Sequence, residues 1–180
     1  MILSKEEQDD FFQNYLPLLY YAGAYEGLLL QSATMQDFFY TDLNTKAKCR
    51  SVLFSDADAI KFYKEDNRKY LGNESKLAFV NNVAQGIFGK FVFLKETKSS
   101  AVFQHIESEK FYEVTGITEP ISKLAPGYPA VIETAIFNFS GKIICDGLVL
   151  NNATLEPSII KDVMAIYKEC QEMKTVLKII

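Results

Sequence analysis

The sequence predicts an α+β fold on three observations. Apolar residues recur at helical spacing through the first half, short Phe-, Val- and Ile-rich runs fill the stretch from Lys90 to Leu150, and one amphipathic stripe closes the chain. At 180 residues, 48% hydrophobic and 23% charged, the chain matches one folded domain spanning 1–180, since domains usually hold about 100–200 residues. The expected architecture is a helical N-terminal half packed with a mainly antiparallel five-stranded sheet and an amphipathic C-terminal helix.

Ser4 and Glu7 have the spacing of a capping box, so a first helix should start near Lys5. Phe12, Tyr15, Leu16 and Leu19 continue it toward Leu30, and Pro17, which lacks an amide hydrogen, should kink or divide it. Further helices are expected over Met35–Leu43, Asp56–Leu71 and Glu74–Ile87, with Gly72 and Gly89 as stops or turns. From Lys90 the alternation suits strands at Phe91–Glu96, Ala101–Ile106, Phe111–Thr115, Val131–Phe139 and Lys142–Leu150. Thr118–Pro129 holds three prolines and a glycine and reads as a loop with one short helical turn at Ile121–Leu124. Ser140-Gly141 between two long apolar runs predicts a tight hairpin. Pro157 suits the first turn of a last helix, whose buried stripe would include Val163, Tyr167 and Cys170.

Charge and composition exclude several classes of function. The net charge of −4 disfavours a nucleic-acid partner. No apolar stretch reaches the roughly 18 residues of a membrane span, and the N-terminus lacks the pattern of a secretory signal, so a soluble, cytoplasmic protein is expected. Cys49, Cys145 and Cys170 show no C-x-x-C spacing and are expected as reduced, buried thiols. His105 is the only histidine, which removes multi-histidine metal sites; a partly exposed strand-end residue is expected there. No Walker loop, G-x-G-x-x-G, H-E-x-x-H, G-x-S-x-G or EF-hand pattern occurs. No metal and no cofactor is expected.

Two groups of residues stand out as candidate sites. Asp146 lies within the apolar run Ile143–Leu150, and a two-residue loop at Ser140-Gly141 would set it opposite Ala135, diagonal to Glu133 at about 7–8 Å. Two carboxylates on one face can hold a cation or divide acid and base roles; alternatively, Asp146 accepts local hydrogen bonds at a bulge beside Gly147. The second group is Tyr20, Tyr21 and Tyr25, more phenol groups than one buried helix face accommodates, and these could form a recognition surface or dimer contact.

Two segments, Tyr112–Ile121 and Thr134–Leu148, resemble an uncharacterised bacterial family often found beside SEC-C metal-binding motifs. The resemblance covers under a quarter of the chain and implies a fold more than a function. The chain departs from that family in having no cysteine-rich tail, since its last helix holds only Cys170. Three functions follow as expectations. The first is a non-enzymatic binding or interaction module for an unknown protein or small molecule, possible as a homodimer and using the aromatic helix or a cleft near Thr118–Pro129. The second is a small hydrolase or metal-assisted enzyme using Glu133 and Asp146. The third is an acidic immunity-type protein that neutralises a basic partner.

Overall fold

The stripe that begins at Lys5 forms a single helix, α1 (Lys5–Tyr25), which buries Phe11, Tyr15, Leu18 and Ala22 along one face. Pro17 lies inside it without dividing it. An interior proline costs about 3 kcal/mol, while each large apolar side chain buried contributes about 1.5–3 kcal/mol. The buried residues on both sides of Pro17 therefore hold the helix together. The computed structural model describes residues 1–180, apart from the side chains of 151 and 152. Backbone contacts group the chain into two units, Lys5–Gly86 and Met1–Ser4 with Ile87–Ile180.

The first unit is helical. After α1 come α2 (Met35–Phe39), α3 (Leu43–Ser55), α4 (Ala57–Asp66) and α5 (Glu74–Ala84). The helix expected over Met35–Leu43 stops early, and α3, which was not foreseen, begins where it should have ended. Both starts are fixed by side-chain caps: Thr34 and Asp37 form a reciprocal capping box on α2, and Asp42 accepts from Thr45 N at 2.9 Å on α3. Asp56 and Asn73 cap α4 and α5 in the same way. Aromatic edge contacts tie the bundle together, Phe11 to Phe79 at 6.0 Å and Tyr21 to Tyr63 at 5.3 Å. Arg50 on α3 is fully buried.

The second unit is built on six strands, one more than expected: β1 (Ile87–Glu96), β2 (Ala101–His105), β3 (Phe111–Thr115), β4 (Ala130–Phe139), β5 (Lys142–Cys145) and β6 (Leu150–Thr154). The Ser140-Gly141 hairpin forms as the sequence predicts, with φ of 51° and 71° at its two residues. The extra strand arises because the run Lys142–Leu150 breaks at Asp146-Gly147, where Gly147 adopts φ 81°. The sheet is mixed: β3 and β5 pair in parallel, Val114 opposite Ile143.

The pairings close on themselves. β1 pairs with β2, β2 with β3, β3 with β5, β5 with β4, and β4 returns to β1 with Gly89 opposite Thr134. β6 lies along the remaining length of β4. Alternate residues of the ring form one core, including Phe91, Phe93, Phe103, Tyr112, Ile132, Ile136 and Cys145. The opposite face of β1 to β3, with Val92, Leu94, Val102 and Phe111, packs on Val163 and Tyr167 of α7 (Pro157–Glu172). The short helix α6 (Ile121–Leu124) is held by Glu96, whose carboxylate accepts from Ile121 N at 3.0 Å and Ser122 N at 3.3 Å. Tyr128 of the same loop lies on Phe93 at 4.7 Å.

In the helical unit α1 and α3 touch at Gly23, where an added Cβ would run into Cys49 Sγ and lie 3.1 Å from Leu29 Cγ. Overpacking of this kind costs about 1–3 kcal/mol, more than the gain of up to about 1 kcal/mol in helix propensity from Gly to Ala. Gly23→Ala is therefore expected to lower the unfolding free energy in urea. In a Cys49→Ala background, which removes the obstructing sulfur, most of that loss should disappear.

Candidate functional site

The hairpin register sets Asp146 opposite Ala135, as expected from the two-residue loop, and Asp146 N donates to Ala135 O at 3.0 Å. Its side chain is buried and serves the backbone turn. Thr134 Oγ1 donates to Asp146 Oδ1 at 2.9 Å, and Leu148 N donates to the same oxygen at 3.0 Å. Because the Thr134 hydroxyl proton is directed at the carboxylate, the Cys145 thiol at 3.2 Å acts as donor to Thr134 Oγ1. The result is a buried chain of thiol, hydroxyl and carboxylate ending on an amide.

Glu133 precedes Thr134 on β4. Strand alternation puts it on the face of β4 opposite Thr134, across from Lys90 in the register, and it is half-buried. The shared carboxylate face expected for Glu133 and Asp146 thus gives way to two environments, because Asp146 turns back to meet Thr134. Among the described residues, no three His, Cys, Asp or Glu side chains come together so as to hold a metal ion.

His105 is buried, where partial exposure was expected. Its ring lies 5.0 Å from Phe91 and its Nδ1 shares a hydrogen bond of 2.9 Å with Ser108 Oγ. Gly89 makes room for it: a Cβ there would approach His105 Nε2 to 3.1 Å. Burial pushes the imidazole below its usual pKa, with Glu107 partly opposing. Cys49 is likewise buried, and desolvation pushes its thiol up to about 11, leaving it a poor nucleophile.

The three candidate tyrosines separate. Tyr20 donates to Ala33 O at 2.7 Å and its ring meets Phe38 edge-on, which pins the connection between α1 and α2. Tyr21 donates to Asp66 at 2.6 Å; burial, then this carboxylate, pushes its phenol up to about 12. Tyr25 is exposed beside Phe62. It opens a run of uncovered apolar side chains continuing through Leu28, Leu30 (80% exposed), Phe39 (55%), Tyr40 (78%) and Leu43 (66%). Helical periodicity does not mark this run; α2 is five residues long and buries one face, so in Phe38-Phe39-Tyr40 only Phe38 goes inside. Phe39 and Tyr40 instead meet edge-on at 5.2 Å, and Lys46 Nζ donates to Phe39 O at 2.8 Å.

Among the described residues, no helix is long and apolar enough to cross a membrane. No protein-family model, no curated protein and no solved structure matches the chain.

The bonding at Asp146 gives a clear expectation. Asp146→Ala removes the acceptor that two buried donors share, at about 1–3 kcal/mol for each buried donor so deprived, whereas Asp146→Asn retains an acceptor oxygen for Thr134 and Leu148. Urea denaturation should show the alanine variant clearly less stable than the asparagine variant. Equal losses would mean that Oδ1 is not the acceptor holding this turn.

Proposed function

We infer that the protein is a non-catalytic interaction module that associates with a second copy of itself through the exposed segment from Tyr25 to Leu43. The observation that carries this reading is the clustering of uncovered apolar groups: Leu30, Phe39, Tyr40 and Leu43 all stand more than half exposed within one short stretch. Soluble monomers rarely leave such groups together, and aromatic residues with a polar tip suit protein interfaces.

The charge pattern favours a copy of the same chain as occupant. From Tyr25 to Lys48 the sequence carries Glu26, Asp37 and Asp42 against Lys46 and Lys48, a net charge of −1 within a chain of net charge −4. A two-fold contact places each patch against itself, and a patch whose acids are largely balanced by Lys46 and Lys48 does so with little like-charge repulsion. The candidate polar groups elsewhere each hydrogen-bond within the fold, Asp146 with Thr134, His105 with Ser108 and Tyr21 with Asp66.

Light scattering coupled to size exclusion tests this. The native chain is expected at twice its 20.4 kDa mass at high concentration. The pair Leu30→Glu and Tyr40→Glu, on exposed positions, should give a single-chain mass with an unchanged circular dichroism spectrum. A native chain that stays monomeric at the highest attainable concentration, or a variant that stays dimeric, refutes self-association through this surface.

A further inference from the structure

A cleft of about 570 Å³ opens in the helical unit where the ends of α3 and α5 meet the side of α4. Its volume falls within the range of about 300–1,000 Å³ of small-molecule sites. The apolar lining comes from Phe54, Ala57, Ile60 and Ala84, backed by the buried Leu53 and Val83. The wall from α4 is a single helical stripe, because Ala57, Ile60, Lys61, Lys64 and Glu65 follow the spacing of one face. That stripe places the hydrocarbon floor and two ammonium groups side by side.

The electrostatics of the cleft run against those of the chain. Its charged lining is Lys61, Lys64 and Glu65, a net of +1, in a protein of net charge −4. Lys64 is fixed in place, since its Nζ donates to Asn81 Oδ1 at 2.7 Å. An ammonium has three donor hydrogens, so this bond orients the group and leaves two for a ligand. Lys61 lies 3.9 Å from the exposed Asp58 carboxylate, a pairing of little worth in water, and 5.4 Å from the centre of the Phe62 ring.

We propose that this cleft binds a small amphipathic carboxylate, its hydrocarbon part on Phe54, Ile60 and Ala84 and its carboxylate on Lys64, with Lys61 as a second cation. The cavity supplies apolar burial, and the oriented lysine supplies a charge-assisted hydrogen bond at its rim. The residues involved differ from those of the self-association surface, so the two readings stand or fall separately.

Titration of the full ¹⁵N-labelled chain with sodium octanoate, followed by amide shifts, is the test, with 1-octanol as the uncharged control. Octanoate should shift the amides of Ile60, Lys64, Val83 and Ala84 saturably and bind about tenfold or more tightly than octanol, the factor expected of one charge-assisted hydrogen bond. Lys64→Met, which keeps the apolar stem, should remove that advantage and leave octanol binding unchanged. The absence of saturable shifts, or equal affinities for octanoate and octanol in the native chain, overturns the proposal. So does full octanoate affinity in a folded Lys64→Met protein. The comparison within the native chain decides the matter even if the variant does not fold.

Discussion

Strand β4 has no free edge along most of its length, and the β unit depends on this. One side pairs with β1 from Ala130 to Ile136; the other pairs with β6 near Ala130 and with β5 from Ile136 to Phe139. Exposed strand edges invite aggregation, and buried peptide groups must find partners. Returning β4 to β1 answers both demands by closing the ladder around the aromatic core. The closure has one narrow place, the two-residue parallel pairing of β3 with β5. Neighbouring segments extend it: Ile2 bridges to Gly116, and Leu177 exchanges backbone hydrogen bonds with Phe111 and Glu113 at 2.9 Å.

The same closure explains why polar residues that look reactive in the sequence serve the fold. Side chains that alternate inward are buried, so each polar one needs a fixed partner. His105 meets Ser108 and occupies space left by Gly89; Thr134 links Cys145 to Asp146, whose carboxylate then holds the turn before β6. In the helical unit, acids likewise end as caps on α2, α3 and α4. What the helical unit leaves uncovered is largely apolar at the segment from Tyr25 to Leu43, and cationic at the rim of its cleft.

Features set by local chemistry were legible in the sequence. The α+β class, the strand Phe111–Thr115, the Ser140-Gly141 hairpin, the helical turn at Ile121–Leu124 and the helix starting at Pro157 all occur where they were expected. Features set by long-range pairing were not. Nothing local distinguishes a β4 that returns to β1, or a parallel β3 and β5, from a simple antiparallel sheet. The break at Asp146 was hidden because its apolar neighbours continue into the next strand, and α3 was hidden because its polar residues, Asn44, Thr45, Lys46 and Lys48, interrupt any apolar stripe. Phenol groups could be counted but not assigned, and the hydroxyls of Tyr20 and Tyr21 turned inward while Tyr25 stayed outside.

Ring closure is tested most directly by backbone nuclear Overhauser contacts in the native chain. Contacts between Gly89 and Thr134 report the return of β4 to β1, and contacts between Val114 and Ile143 report the parallel seam. The closed ring predicts both sets in one sample. Either set alone would mean an open sheet, in which nothing forces His105, Thr134 and Asp146 inward.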